Sequence, residues 1–192
     1  SILNKNAKII DFVTILNLGG FLAIVGHENN FQAMLDFVTP KILQSDVAIT
    51  DITELNDVVI IYDEENNIPI GNCETIDEVT YASISNGLTY CIAGKKINFG
   101  GENMGEEFNE WRIDNVIPWY EYEINSKSIP YSCGLNKYVH DSKGCYTGQE
   151  ILTRMRTRNR GIKILKNILN SKLDKEKVTT KGREKSLVLV NQ

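Results

Sequence analysis

The sequence predicts an α+β fold in which helices pack on antiparallel sheets. The chain has 192 residues, 42% of them apolar and only four of them proline, which is enough to bury a hydrophobic core. Runs of β-branched residues are separated by tight-turn signals such as Asn86–Gly87. Between two such runs, Phe31, Met34 and Val38 recur at helical spacing, which places a helix against an antiparallel sheet.

The first sixty residues are expected to follow the order strand, strand, helix, strand, strand. Asn29 or Asn30 is expected to cap the helix, and Pro40 ends it because proline cannot continue a helix. The predicted strands cover residues 9–16, 21–25, 46–50 and 57–62.

The rest of the chain continues the antiparallel pattern. Strands over 81–85 and 88–93 flank the Asn86–Gly87 turn, because Asn–Gly tolerates the positive φ of a tight hairpin. Further expectations are a strand over 95–99, a short helix over 106–112, a loop over 124–135 and one or two strands around 162–169 and 186–190. Residues 1–160 are interpreted as one α+β domain with two subdomains that meet near 64–75, and residues 161–192 as a basic C-terminal β extension.

Composition disfavours several functional classes. The cysteines, Cys73, Cys91, Cys133 and Cys145, form no C-x-x-C pair, which argues against a cysteine-held zinc or iron–sulfur site. Only two histidines are present, so metal chemistry and Ser–His catalysis are also disfavoured. No apolar run approaches the roughly 18 residues of a membrane span, and no secretory leader is recognisable. We therefore expect a soluble, cytoplasmic protein without a membrane partner.

The charge is unevenly distributed along the chain. Residues 1–142 carry 8 Lys+Arg against 21 Asp+Glu, a formal charge of −13, whereas residues 143–192 carry 13 against 4, a charge of +9. One interpretation is an acidic body with a solvated basic tail. The other is that the basic end faces a polyglutamyl or phosphate ligand, an acidic partner or nucleic acid. Aromatic residues are not interleaved with the basic ones, so nucleic acid is the less favoured partner.

Residues 143–150 contain the candidate reactive group. Thr147 and Glu150 have the spacing of a capping box, which predicts that a helix begins here. Cys145 then lies just before a helix N-terminus and beside Lys143. The positive end of the helix dipole and the ammonium of Lys143 both favour the thiolate, so the pKa of Cys145 is expected to lie below its usual value. The alternative is a structural cysteine in a glycine-containing turn.

Four segments together resemble the YgfZ branch of the glycine-cleavage T-protein (aminomethyltransferase) superfamily. Residues 143–150 match its K-G-C-[FY]-x-G-Q-E motif at every position. Residues 3–11 are similar to an L-N-x-x-G-[RK]-I segment followed by an aspartate, 111–118 to R-[IL]-E-x-G-[IL]-P, and 130–135 to P-x-E-x-G-L. The resemblance extends from residue 3 to about residue 168.

The resemblance implies a T-protein-like fold with a tetrahydrofolate site, and a role in the upkeep of iron–sulfur enzymes. Asp11 takes the place of the aspartate that orients the reactive edge of the folate, and Asp114 that of the acid that binds the pterin. A carboxylate can accept two N–H bonds from such a guanidine-like edge. The implied catalytic residues are Cys145, Lys143 and Asp11. The implied folate-binding residues are Asp11, Arg112, Asp114, Tyr146, Gln149 and Arg154.

The chain departs from the family pattern at several places. Ala7 and Val116 replace glycines, and Ser132 replaces the glutamate of P-x-E-x-G-L. Members also have a portion before the first motif and a longer C-terminal barrel, so a pocket wall is expected to be missing or to come from a second copy in a homodimer. The expected partners are a folate and iron–sulfur proteins.

Two alternative functions remain open from the sequence. The first is a folate-dependent aminomethyltransferase, in which Arg112 or Arg154 would hold an acidic donor. The second is a non-catalytic module that binds an acidic partner or nucleic acid through the basic segment that begins at Arg154.

Overall fold

The computed structural model describes residues 1–100, 104–140, 142–174 and 177–192. The described part has three helices: α1 (Phe31–Val38), α2 (Gly105–Asp114) and α3 (Gln149–Arg158). Its strands are β1 (Ile2–Leu3), β2 (Ile9–Asp11), β3 (Thr14–Asn17), β4 (Leu22–Val25), β5 (Asn56–Tyr62), β6 (Cys73–Ile76), β7 (Val79–Ser85), β8 (Leu88–Gly94), β9 (Lys163–Leu169), β10 (Lys177–Lys181) and β11 (Lys185–Asn191). The chain divides into two compact units, which we describe separately. Unit 1 comprises residues 1–14, 25–41 and 112–192, and unit 2 comprises residues 15–24 and 42–111.

Unit 1 is built around two hydrophobic clusters. In the first, β2 and α3 contribute Ile9 and Leu152, which pack with Ala7 and Leu135. In the second, the end of α2 packs Ile113 against the C-terminal sheet. That sheet is antiparallel with the strand order β10-β11-β9. Burial of these apolar side chains is the main stabilising term in the unit.

Unit 2 is centred on an antiparallel sheet with the strand order β5-β8-β7-β6. Val79, Cys91 and Ala93 form its buried core, and Val59 and Ile61 of β5 pack against them. The turn between β7 and β8 contains Asn86 and Gly87, and the φ of Gly87 is +65°. The hairpin expected from the Asn–Gly signal is therefore confirmed.

The predicted α+β class with antiparallel sheets is confirmed, and several strand boundaries are corrected. Residues 46–50 form no strand, since all five are exposed and none pairs with another strand. Residues 95–99 do not extend the sheet, because the chain turns after β8 and the Ile97 amide donates to the Gly94 carbonyl. The single strand expected over 9–16 is divided into β2 and β3, where the Asp11 carboxylate accepts from the amide of Phe12. Such local side-chain bonds compete with the ladder of a sheet.

The C-terminal segment contains one strand more than expected. Strands around 162–169 and 186–190 were predicted, and they correspond to β9 and β11. β10 was not predicted, because its sequence KVTTK has a single apolar residue. It pairs with β11 along one edge of the C-terminal sheet.

Candidate functional site

The loop that leads into α3 carries Cys145 at an exposed position. Gly148 occupies the N-cap of α3 with a φ of +83°, and no side chain caps the helix, so the capping box expected at Thr147 is not formed. Instead the amide of Tyr146 donates to Gln149 Oε1 at 3.3 Å. A capping box requires an N-cap residue with an extended backbone, whereas the N-cap residue Gly148 is left-handed.

Contacts on both sides of Cys145 fix this loop. The ring of Tyr146 packs against the first cluster of unit 1, and the ammonium of Lys143 lies 4.3 Å from the centre of that ring. A β-carbon added to Gly148 would lie 2.8 Å from the α-carbon of Ala7, so the two backbones are in direct contact. The thiol is therefore presented to solvent by a loop whose neighbouring residues are held in place.

A small cavity adjoins the same loop. Its volume is about 30 Å³, and it is lined by residues that include Leu3, Tyr138, Lys143 and Tyr146. That volume corresponds to about one water molecule. The cavity is thus far too small for a pterin ring.

Asp11 is 1% exposed, and three hydrogen bonds hold its carboxylate. Its carboxylate accepts from the amide of His27 at 3.3 Å and from Nδ2 of Asn30 at 3.0 Å, in addition to the Phe12 amide at 2.8 Å. Asn30 also donates to the hydroxyl of Tyr120. Asn30 therefore stands at the N-cap position of α1, as expected, but its side chain bonds the carboxylate and not the helix backbone.

The network around Asp11 includes aromatic residues that the sequence did not identify. The imidazole of His27 stacks on the ring of Tyr120, with centroids 3.9 Å apart. Burial raises the pKa of Tyr120 to about 12, and the negative charges of Asp11 and Glu121 act in the same direction. Of these residues the sequence identified only Asn30, as a helix cap, because His27 and Asn30 lie 16 and 19 residues from Asp11 along the chain, and Tyr120 lies 90 residues from Asn30.

Three of the motif residues are joined by direct contacts. The structure joins Lys143 to Tyr146, and Tyr146 to Gln149, through the ring contact and the hydrogen bond described above.

Asp114 lies at the end of α2 in a different setting. Its side chain is 59% exposed, and Oδ1 accepts from Nζ of Lys185 at 2.7 Å. This hydrogen bond to Asp114 is the main cause that raises the pKa of Lys185. An exposed pair of this kind contributes little stability, so the carboxylate is accessible to a ligand at small cost.

Arg112 belongs to the same motif as Asp114, but its side chain is fully buried. Its guanidinium donates to Oε2 of Glu123 at 2.9 Å and to Oγ1 of Thr180 at 2.6 Å, and Thr180 in turn donates to Oε1 of Glu123 at 2.7 Å. The plane of the guanidinium lies over the ring of Tyr122. Burial lowers the pKa of Arg112, while the charge of Glu123 opposes that shift. The structure therefore places Arg112 inside unit 1, and the sequence motif did not identify Glu123 or Thr180.

Arg154 lines an open groove on the outer face of α3. It pairs with Glu150 one turn earlier, at 2.8 Å, and both side chains are exposed. All of its lining residues belong to this one helix, and the others are Gln149, Thr153, Thr157 and Arg158. Two guanidinium groups, two hydroxyls, one amide and the Glu150 carboxylate thus face a single open surface.

The backbone is left-handed at four of the five positions where the motifs have glycine, and two of these four hold another residue in this chain. Gly134 and Gly148 have φ values of +84° and +83°. Ala7 and Val116, which stand where the motifs have glycine, have φ values of +57° and +54°. This region costs an L-residue about 1–2 kcal/mol, and a β-branched residue such as valine enters it very rarely.

Comparisons with known proteins leave the family open: no protein-family model matches the chain, and no curated protein is significantly similar to it. In the described part of the chain, no helix has the length and apolar character needed to cross a membrane. Within the same residues, no three His, Cys, Asp or Glu side chains are placed to share a metal ion.

Proposed function

We propose that this chain is a tetrahydrofolate-binding protein of the YgfZ type, which supports the assembly or repair of iron–sulfur clusters. The observation that carries the proposal is the left-handed backbone at Ala7 and Val116. Neither residue favours that conformation, so their side chains do not explain it. This backbone supports the proposal, because both motifs have glycine, which adopts this conformation easily, at these positions.

The side chains present at Asp114 fit one edge of a folate. An exposed carboxylate can accept two parallel N–H bonds from the amino-pyrimidine edge of a pterin, and its pairing with Lys185 is easily exchanged. Arg154 is a suitable cation for the carboxylates of the glutamyl tail, since it too is exposed. Tetrahydrofolate, when bound, supplies a reduced nitrogen that carries one-carbon groups.

Asp11 has a positioning role in this proposal. Its carboxylate is already held by three donors, so it is a fixed acceptor whose orientation does not depend on a ligand. Cys145 is the exposed thiol of the motif, and Lys143 supplies a positive charge two residues away along the chain. The role of the thiol, as nucleophile, transient cluster ligand or contact to a client protein, is left open.

The first experiment is a calorimetric titration with tetrahydrofolate, with folinic acid as the comparison ligand. We expect saturable binding that weakens at least about tenfold in Asp114→Ala, because two charge-assisted hydrogen bonds are lost. Lys185→Ala is the matched control: it breaks the same ion pair but leaves the carboxylate, so affinity is expected to stay equal or to rise. Equal weakening in both variants, or unchanged affinity in Asp114→Ala, would remove the pterin assignment.

A second experiment tests the role of the thiol. Cys145→Ala is expected to keep the folded structure and folate affinity, because the side chain is exposed, and to lose support of a client iron–sulfur enzyme. Cys73→Ala is the control, since that cysteine lies outside the motif in unit 2. We expect no transfer of a methylene group from an aminomethyl donor to the folate. Such transfer would instead identify the chain as an aminomethyltransferase.

The groove along α3 favours a second candidate function, the binding of an acidic partner or nucleic acid. The groove combines Arg154 and Arg158 with hydroxyl and amide donors, which suit a phosphate or carboxylate that displaces the exposed Glu150 carboxylate from Arg154. Binding of this kind is expected to weaken steeply with salt. Arg154→Ala combined with Arg158→Ala should abolish it without changing the fold. A salt-insensitive affinity would argue against this candidate.

A further inference from the structure

The outer edge of β5 in unit 2 is the feature that points to a further binding function. β5 is the first strand in the order β5-β8-β7-β6, and within the described residues no strand pairs with its other side. The amide of Lys95 donates to the carbonyl of Leu55, and the amide of Asp63 donates to that of Gly87. Paired residues in an antiparallel ladder exchange bonds at every second position, so the odd-numbered residues of β5 face β8. The backbone groups of the even-numbered residues face the open edge: Asn56, Val58, Ile60 and Tyr62.

The side chains of β5 make this edge apolar. Val59 and Ile61 pack into the core of unit 2, while Val58 on the other face is 47% exposed. The pairing with β8 runs without a bulge over all seven residues, and β5 contains neither proline nor lysine. Natural sheets usually protect a long apolar edge with such residues, because its unpaired N–H and C=O groups invite another strand.

The charge of unit 2 indicates which strand would pair there. The unit has 14 Asp+Glu against 2 Lys+Arg, a formal charge of −12 in its two segments. Asp57 is exposed within β5, and Asp63, Glu64 and Glu65 follow the end of the strand. Acidic groups thus lie at both ends of the apolar run. A strand with basic side chains complements this distribution, and an acidic strand does not.

The same charges argue against a second copy of this chain at the edge. If two β5 strands paired antiparallel with Ile60 opposite Ile60, Asp57 of each chain would stand opposite Asp63 of the other. Like charges directly opposite each other destabilise a pair of strands. The edge therefore suits a different polypeptide.

We propose that the open edge of β5 binds an extended polypeptide segment in which apolar and basic side chains alternate. The backbone of the segment pairs with the outward groups of Val58, Ile60 and Tyr62, which extends the sheet by one strand. Its apolar side chains lie beside Val58, and its basic side chains meet the acidic groups at the two ends of β5. Backbone pairing supplies affinity in this mode of recognition, and the alternating side chains supply specificity.

The test uses the full chain and capped heptapeptides of defined composition. A heptapeptide that alternates lysine and valine is expected to bind saturably by fluorescence anisotropy. A heptapeptide that alternates glutamate and valine should bind at least about tenfold more weakly. A peptide with the lysines and valines in separate blocks keeps the charge but cannot place its valines on one face, so it should also bind more weakly. Equal affinity for all three peptides would overturn the proposal.

Amide hydrogen exchange measured by NMR tests the geometry directly in the unchanged protein. Addition of the lysine–valine peptide is expected to protect the amides of Val58, Ile60 and Tyr62. The amides of Val59 and Ile61 already bond to β8, so their protection should change little. Uniform protection along β5, or no change at the even positions, would refute binding at this edge.

Two oppositely charged substitutions at the exposed residue Val58 provide matched controls. Val58→Lys and Val58→Glu both remove the apolar contact, but only lysine repels the lysine–valine peptide, so Val58→Lys should bind this peptide about five- to tenfold more weakly than Val58→Glu. Ile60→Pro removes an outward donor and no bond to β8, and it should abolish binding while the circular dichroism spectrum is retained. If Ile60→Pro does not fold, the exchange pattern of the unchanged protein decides. A chain that forms dimers through β5 would also overturn the proposal.

Discussion

Replacing Gly148 by alanine is expected to destabilise the protein by about 1–5 kcal/mol. The φ of Gly148 is +83°, a region that costs an L-residue about 1–2 kcal/mol. The new β-carbon would lie 2.8 Å from the α-carbon and 3.1 Å from the nitrogen of Ala7. Both are backbone atoms that cannot rotate away, and forcing such a contact apart costs about 1–3 kcal/mol. A gain of about 0.4–1 kcal/mol from the stiffer unfolded chain offsets part of the loss.

The assay is urea unfolding followed by far-ultraviolet circular dichroism, with Gly144→Ala as the matched control. Gly144 belongs to the same motif, but its φ is not in the left-handed region, and an added β-carbon would meet no atom within 4 Å. The control should therefore change stability by less than about 0.5 kcal/mol. Combining Ala7→Gly with Gly148→Ala removes one of the three close contacts, so it should recover only part of the loss. Equal stability of the two single variants would refute the assigned geometry of this loop.

The remaining predictions concern individual side chains of unit 1. A maleimide should modify Cys145 in the native protein and Cys133 only on unfolding, because Cys133 is buried and burial raises its pKa to about 12. Mass spectrometry measures the order of modification, and modification of Cys133 before Cys145 would contradict this prediction. Tyr120 has a pKa of about 12 against its usual 10, so its stabilising effect is complete below pH 10 and is lost as the pH rises towards 12. Between pH 10 and pH 12, Tyr120→Phe should therefore lose about 1 kcal/mol less of its free energy of unfolding than the unchanged protein, a modest difference because the phenol is only partly buried. Identical dependence of stability on pH in both proteins would contradict this. Glu123→Ala should cost about 3–5 kcal/mol in urea unfolding by leaving the buried charge of Arg112 without the carboxylate that balances it, and a loss below about 1 kcal/mol would contradict the buried ion pair.

The parts of the fold that depend on local signals were predictable from the sequence. The Asn86–Gly87 hairpin and the helix after Asn30 were predicted within a few residues, because turn chemistry and helical periodicity act over short distances. Asp11 was identified as a site residue, but β2 ends there, where its carboxylate accepts from the adjacent Phe12 amide and from His27 and Asn30. The bonds to the later segment have no local signal in the sequence, so the strand was predicted to be too long.

The environment of the candidate site was less predictable than its residues. Arg112 was assigned to the folate by its place in a motif, and nothing nearby in the sequence indicates that it is buried. Its partners Glu123 and Thr180 lie 11 and 68 residues away along the chain. For Cys145, by contrast, the predicted position just before a helix is confirmed, since α3 begins at Gln149. Pairings between distant segments decide burial, and single-sequence patterns do not contain them.

The apolar run of β5 has a consequence for the period before folding is complete. Residues 58–62 read Val-Val-Ile-Ile-Tyr, and they are made well before β8, the strand that pairs with them. A nascent or partly unfolded chain therefore exposes a segment with high β-propensity and no charge of its own, which is the composition of aggregation-prone segments. Asp57 and Asp63 flank this run directly and act as gatekeepers against self-association. Neutral substitutions at these two aspartates would therefore lower the yield of native protein, even though both side chains lie outside the hydrophobic core.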